Sequence, residues 1–146
     1  MSTILLATDF SPVSDHALDE AVALARGLGD DIEIIHIHEM QVASVPPTLD
    51  LAPMPPSAAS VGKAETALTE RVARIRAQGL NCESTALFGR PDEEVVRRAQ
   101  QLKPRMVVVG AKGHSPLHNL LLGSIAERIV KKAPCPVLIV RPETHG

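Results

Sequence analysis

Short β-branched apolar runs alternate along this chain with longer segments whose apolar residues recur every three or four positions. That alternation restricts the possible folds more than any other feature. TILLAT (3–8), DIEIIHIH (31–38), CESTALF (82–88), RMVVVG (105–110) and VLIV (137–140) have the length and composition of strands. The stretches between them are long enough for helices. Strands that alternate with helices, with few hairpin signals, predict a parallel sheet covered by helices on both faces.

Helix boundaries are written in the punctuation. Ser11-Pro12 supplies an N-cap and a first-turn proline, and Ala17, Leu18, Ala21, Val22, Ala25 and Leu28 follow at helical spacing until Gly27 and Gly29. Residues 57–78 carry Val61, Leu68, Val72 and Ile75 on one stripe, with Gly79 as the stop. Pro91 followed by Asp92, Glu93 and Glu94 opens a third helix, which ends near Leu102. In the fourth, SIAERIVKKA (124–133), the expected inward residues are Ile125, Ala126, Ile129, Val130 and Ala133, before Pro134 and Pro136 end it. The segment 40–57 holds five of the twelve prolines, so it reads as a loop or lid within one domain spanning 1–146.

Composition narrows the classes of function. The 146 residues contain no Trp, no Tyr and two Phe, so the core must be built from Val, Ile, Leu and Ala. There is little aromatic surface for stacking unpaired bases. A net charge of −2 and a pI near 6.3 argue against a nucleic-acid partner. Lys131-Lys132 and Arg97-Arg98 are short pairs of the kind found on solvated helix faces. No apolar run approaches the roughly 20 residues of a membrane span, and the start lacks the pattern of a secretory leader. Cys82 and Cys135 form no CxxC, and a reducing cytoplasm is the expected compartment.

The stretch GAKGHSPLHNLLLGS (110–124) joins the fourth strand to the last helix. Gly110 and Gly113 lack a Cβ, which lets a ligand or another backbone come close. Gly123-Ser124 opens a helix whose N–H groups and positive dipole end suit an anion, with the Ser124 hydroxyl as a further donor. Lys112 is the fixed positive charge of the loop. Neither GxxxxGK[S/T] nor a GxGxxG after the first strand is present. If the strand order is 3-2-1-4-5, Thr8-Asp9 and Gly110 flank the crevice where ligands bind in such sheets. These features point to a phosphate-bearing ligand without naming it.

Residues 110–124 also match G-x2-G-x9-G-[S/T], the nucleotide-binding signature of the universal stress protein family, which the chain resembles. ILLATDFSPVSDHAL, IIHIHE, LFGRPDEEVV and APCPVLIVRP extend the resemblance over nearly its whole length. It implies a Rossmann-like open five-stranded parallel sheet in the order 3-2-1-4-5. It also implies a homodimer paired through the last strand (137–140), and ATP or another adenine nucleotide with Mg2+ or Mn2+ on its phosphates. Carried over by position, Ala7, Thr8 and Asp9 line the adenine and ribose end, and Ile37 reaches the base through its backbone. Gly110, Ala111, Gly113 and His114 line the phosphates, and Gly123, Ser124 and Ile125 close on them.

Other candidates stand on the residues alone. Asp9 suits a general base, a metal ligand or a contact to the nucleotide, but no partner for a catalytic pair is evident. His36 and His38, two apart on a strand, share a face without a third metal ligand in sight. His114 and His118 are within reach of phosphate or solvent, and Cys135 reads as a packed thiol. Leu120, Leu121 and Leu122 either pack beneath the loop, the favoured reading, or face a partner. VLIV as an edge strand is an aggregation hazard that pairing with a second copy removes. The reading is a nucleotide-binding regulatory module acting as a dimer. The alternatives are a slow metal-dependent ATP hydrolase and an AMP or cyclic AMP binder.

Overall fold

A computed structural model describes residues 2–40, 52–111 and 122–142. Five strands, β1 (Thr3–Ala7), β2 (Asp31–Glu39), β3 (Cys82–Gly89), β4 (Met106–Gly110) and β5 (Val137–Val140), form one all-parallel sheet in the order β3-β2-β1-β4-β5. Four helices connect them: α1 (Pro12–Leu28), α2 (Ala58–Ala77), α3 (Pro91–Leu102) and α4 (Ser124–Lys132). The expected Rossmann-like architecture, with helices on both faces, is what forms.

Both faces of the sheet are buried, so its central strands are continuously apolar rather than alternating. On one face Ile4, Leu6, Ile32, Ile34 and Val108 pack against Ala17, Leu18, Ala21 and Ala25 of α1 and Leu68, Val72 and Ile75 of α2. On the other, Leu5, Ile35, Ile37, Val107 and Val109 meet Val95 and Ala99 of α3 and Ala126 and Ile129 of α4. Each Leu, Ile or Val fully buried in this way contributes about 1.5–3 kcal/mol. Among the described residues no helix is long and apolar enough to cross a membrane.

Caps fix where the helices begin. The Ser11 hydroxyl accepts from the Ser14 N–H at 3.3 Å, and Ser57 caps α2 by accepting from the Ser60 N–H at 3.1 Å. Gly29 ends α1 in the left-handed conformation at φ 72°. Two buried acids are tied to arginines. Glu33 of β2 holds Arg98 of α3 through bonds of 2.6 and 2.7 Å, and Asp30 holds Arg105. The Arg105 guanidinium keeps the Asp30 carboxyl below its ordinary range.

One inward assignment is corrected, and one apolar residue of the α1 pattern is exposed. Val130 is 46% exposed because α4 turns Ala126 and Ile129 to the sheet, and nothing among the described residues covers its outer flank. Leu28 is 44% exposed in the last turn of α1, where the chain leaves the helix for β2. Boundaries shift slightly: Arg105 precedes β4 rather than opening it, and its N–H donates to the Thr3 carbonyl at 2.8 Å.

Candidate functional site

Unequal strand lengths make the site. β1 stops at Ala7, paired with Ile35, while β2 runs on to Glu39 beside β3. Above the end of β1 a cleft of about 430 Å3 opens, lined by Ala7, Thr8, Asp9, Ile37, Gly110, Gly123, Ser124 and Ile125 among others. The N-terminal ends of all four helices reach it, through Ser11, Ser60, Pro91 and Ser124.

Main-chain direction along β2 explains what Ile37 offers. The Asp31 N–H donates to Ser2 and the Ile35 carbonyl accepts from Thr8 at 3.0 Å, whereas the Ile32 N–H donates to Asn81 beside β3. Odd-numbered residues of β2 therefore point their backbone groups toward β1. Ile37 continues that series past the end of β1, where no backbone bond among the described residues engages it. Its N–H and C=O are left facing the cleft.

The turn after β1 is held from several sides. The Thr8 hydroxyl donates to the Ser14 hydroxyl at 3.1 Å and accepts from the Phe10 N–H at 3.0 Å, and an Asp9 carboxylate oxygen accepts from the Ser11 N–H at 3.0 Å. His36 Nδ1 lies 2.8 Å from the Thr8 carbonyl oxygen. A carbonyl only accepts, so Nδ1 carries the proton. Phe10 sits at φ 64°, a conformation that costs a bulky residue about 1–2 kcal/mol. It is retained because the ring is clamped between His36, 4.5 Å away, and the Arg71 guanidinium at 4.9 Å. Arg71 is in turn fixed by a two-pronged bond to Asp15, at 2.9 and 3.0 Å.

The glycines of the signature do different work. A Cβ on Gly110 would stand 3.1 Å from the backbone carbon and oxygen of Val13 and from its Cγ2, so this glycine admits the first turn of α1 against β4. Gly123 has φ −61° and ψ 155°, which any residue adopts, so backbone conformation does not call for glycine there. It caps α4 without a side-chain oxygen, leaving the first-turn N–H groups open to an outside acceptor.

Ala111 does not line the cleft. Its side chain is fully buried and its N–H donates to the Val140 carbonyl at 2.9 Å. Gly113 and His114 lie outside the described residues, as do Lys112, His118, Leu120 and Leu121. Leu122 is 36% exposed.

The sequence reading did not place His36, His38, Ser11, Ser14 and Ser60 at the cleft, which all five line. The two-residue spacing of the histidines was the available signal. His38 stands between His36, edge-on at 5.0 Å, and Phe88 at 4.8 Å, so the chain's two phenylalanines end one row of rings. Burial, and then the neighbouring His36, lower the His38 pKa. Asp92, buried at the start of α3, faces Arg90 at 3.4 Å and Arg128 at 3.7 Å and so ties the start of α3 to the middle of α4. Among the described residues no three His, Cys, Asp or Glu side chains gather to hold a metal ion. Burial pushes the Cys82 thiol up to about 11, and Cys135 is raised as well, so neither is an activated nucleophile.

Known proteins share this plan. A profile of the universal stress protein family matches residues 1–141. Universal stress protein MJ0531 of Methanocaldococcus jannaschii is 32% identical over 143 residues, covering 94% of this chain and 81% of the relative. Universal stress protein YxiE of Bacillus subtilis is 29% identical over 144 residues, covering 94% and 97%. Among solved structures, the Archaeoglobus fulgidus universal stress protein in complex with dAMP has a TM-score of 0.70 at 21% identity, over 96% of this chain and 98% of its own. An Arabidopsis thaliana family protein with AMP bound gives 0.66 at 19%, over 99% and 94%. A universal stress protein in complex with cAMP gives 0.69 at 24%, over 97% and 98%. At such identities these structures speak for the fold. Together with the profile match and the shared sheet order, they lead to one assignment: the chain belongs to the universal stress protein family.

Proposed function

We propose that this protein binds an adenine nucleotide, ATP foremost, at the carboxyl end of its sheet, and works as a regulatory module rather than through turnover. The observation that carries the reading is the meeting in one cleft of two complementary surfaces. The uncapped start of α4 at Gly123-Ser124 suits phosphate, and the unpaired backbone of Ile37 suits the edge of a base. Ala7, Thr8 and Asp9 would hold the ribose side, Gly110 and Ile125 would frame the phosphates, and Gly113 and His114 are expected to join them. A Mg2+ or Mn2+ ion would take its ligands mainly from phosphate and water.

AMP and cyclic AMP remain the second reading, favoured by the fold neighbours solved with AMP, dAMP and cAMP. The exposed edge of β5, with Leu138 36% exposed, supports pairing of two copies through 137–140. A cytoplasmic site of action fits the same reading. The test is acid extraction of the purified protein with chromatography of what is released, followed by calorimetry with ATP, ADP, AMP and cyclic AMP. Binding of one or more with micromolar affinity is expected, and binding of none refutes the proposal.

A further inference from the structure

His38 is 5% exposed, and no group among the described residues hydrogen-bonds it. Rings stand on both sides of it, His36 edge-on at 5.0 Å and Phe88 tilted at 4.8 Å. Among the described residues no sealed side-chain nitrogen or oxygen lacks a partner. The open space that His38 borders is the cleft. At the cleft wall a histidine offers hydrogen-bonding nitrogens that a phenylalanine in the same slot between rings would lack.

We propose that His38 is a specificity-determining residue of the cleft, hydrogen-bonding the uncharged end of a bound nucleotide, its base or sugar. This rests on the nucleotide-binding reading above and extends it to a side chain on the α1–α2 face of β2. Charge sets which end of the ligand lies there. Glu39 lines the cleft beside His38, and the Glu65 carboxylate of α2 is near enough to act on the ring, so phosphate is repelled. At the other end, the start of α4 presents the positive pole of a helix. Burial keeps the ring neutral near pH 7, with one donor N–H and one acceptor nitrogen. That pairing matches a base edge or a sugar hydroxyl.

AMP is the probe, titrated by calorimetry into the parent and His38→Phe, a variant that keeps a flat ring between His36 and Phe88. The expected result is a parent that binds and a variant that binds about five- to thirtyfold more weakly with its Tm maintained. In 15N-histidine spectra of the parent, the His38 ring signals should move when AMP is added. Equal affinity of the two proteins, or unmoved His38 signals in the AMP-bound parent, overturns the proposal. The spectra decide it even where the variant folds poorly. A parent that binds no AMP, ADP or ATP is a different outcome, which removes the nucleotide reading itself and this inference with it.

Discussion

Replacing Gly110 with alanine tests whether the first glycine of the signature serves packing. The new Cβ would stand 3.1 Å from three atoms of Val13, two of them backbone. Ordinary contact begins at 3.4 Å, so the start of α1 must retreat by about 0.3 Å. Retreat loosens the interface where Ala17, Leu18, Ala21 and Ala25 meet the sheet. Overpacking of this kind costs about 1–3 kcal/mol, and the reduced freedom of the unfolded chain returns about 0.4–1 kcal/mol. The mid-points of those ranges leave a net loss of about 1.3 kcal/mol, or a Tm lower by about 3–5 °C. Urea unfolding followed by circular dichroism measures it. Adding Val13→Ala removes only the Cγ2 contact, so the double variant should recover a part of the loss beyond simple additivity. A Gly110→Ala protein within about 0.3 kcal/mol of the parent would refute the packing account.

Gly123→Ser should behave in the opposite way: its backbone angles suit serine, which caps well, so stability holds or rises. Nucleotide affinity should nevertheless fall at least about tenfold, and unchanged affinity in calorimetry would mean that no ligand approaches this glycine. Arg98→Met leaves the Glu33 carboxylate buried without its partner and should cost about 2–4 kcal/mol in urea unfolding. Adding Glu33→Met should restore most of that, and a double variant no better than the single one would contradict this account. His38 makes the fold sensitive to acid. An unfolded histidine takes up a proton near pH 6.5, and His38 in the fold does so only at lower pH. Between those points the unfolded state holds more protons, so stability falls as pH drops below about 6.5. His38→Phe should flatten that part of the stability curve, and an unchanged slope would exclude His38 as its source.

Much of the fold was legible because strands buried on both faces have no polar face to interrupt the apolar run. Caps such as Ser11 and stops such as Gly29 set helix limits to within a residue or so. Val130 was misplaced because periodicity names a stripe and not its width, and α4 has uncovered space on its outer flank. The site was legible where backbone features leave a mark, as at Gly123-Ser124. Gly110 was ambiguous in sequence, since room for a ligand and room for another backbone both call for a missing Cβ. His38 escaped notice as a cleft residue because its setting depends on where β1 ends relative to β2, a length difference that appears only once the strands are paired.

That difference in strand length also bears on how mutation acts at this site. What Ile37 presents to the cleft is an amide and a carbonyl, which every residue except proline carries. Valine, leucine or threonine at 37 would present the same two groups in the same place. Single side-chain changes there can loosen the core beneath, but they cannot erase the pattern itself. A drifting sequence would keep this part of the binding surface for as long as β2 outreaches β1.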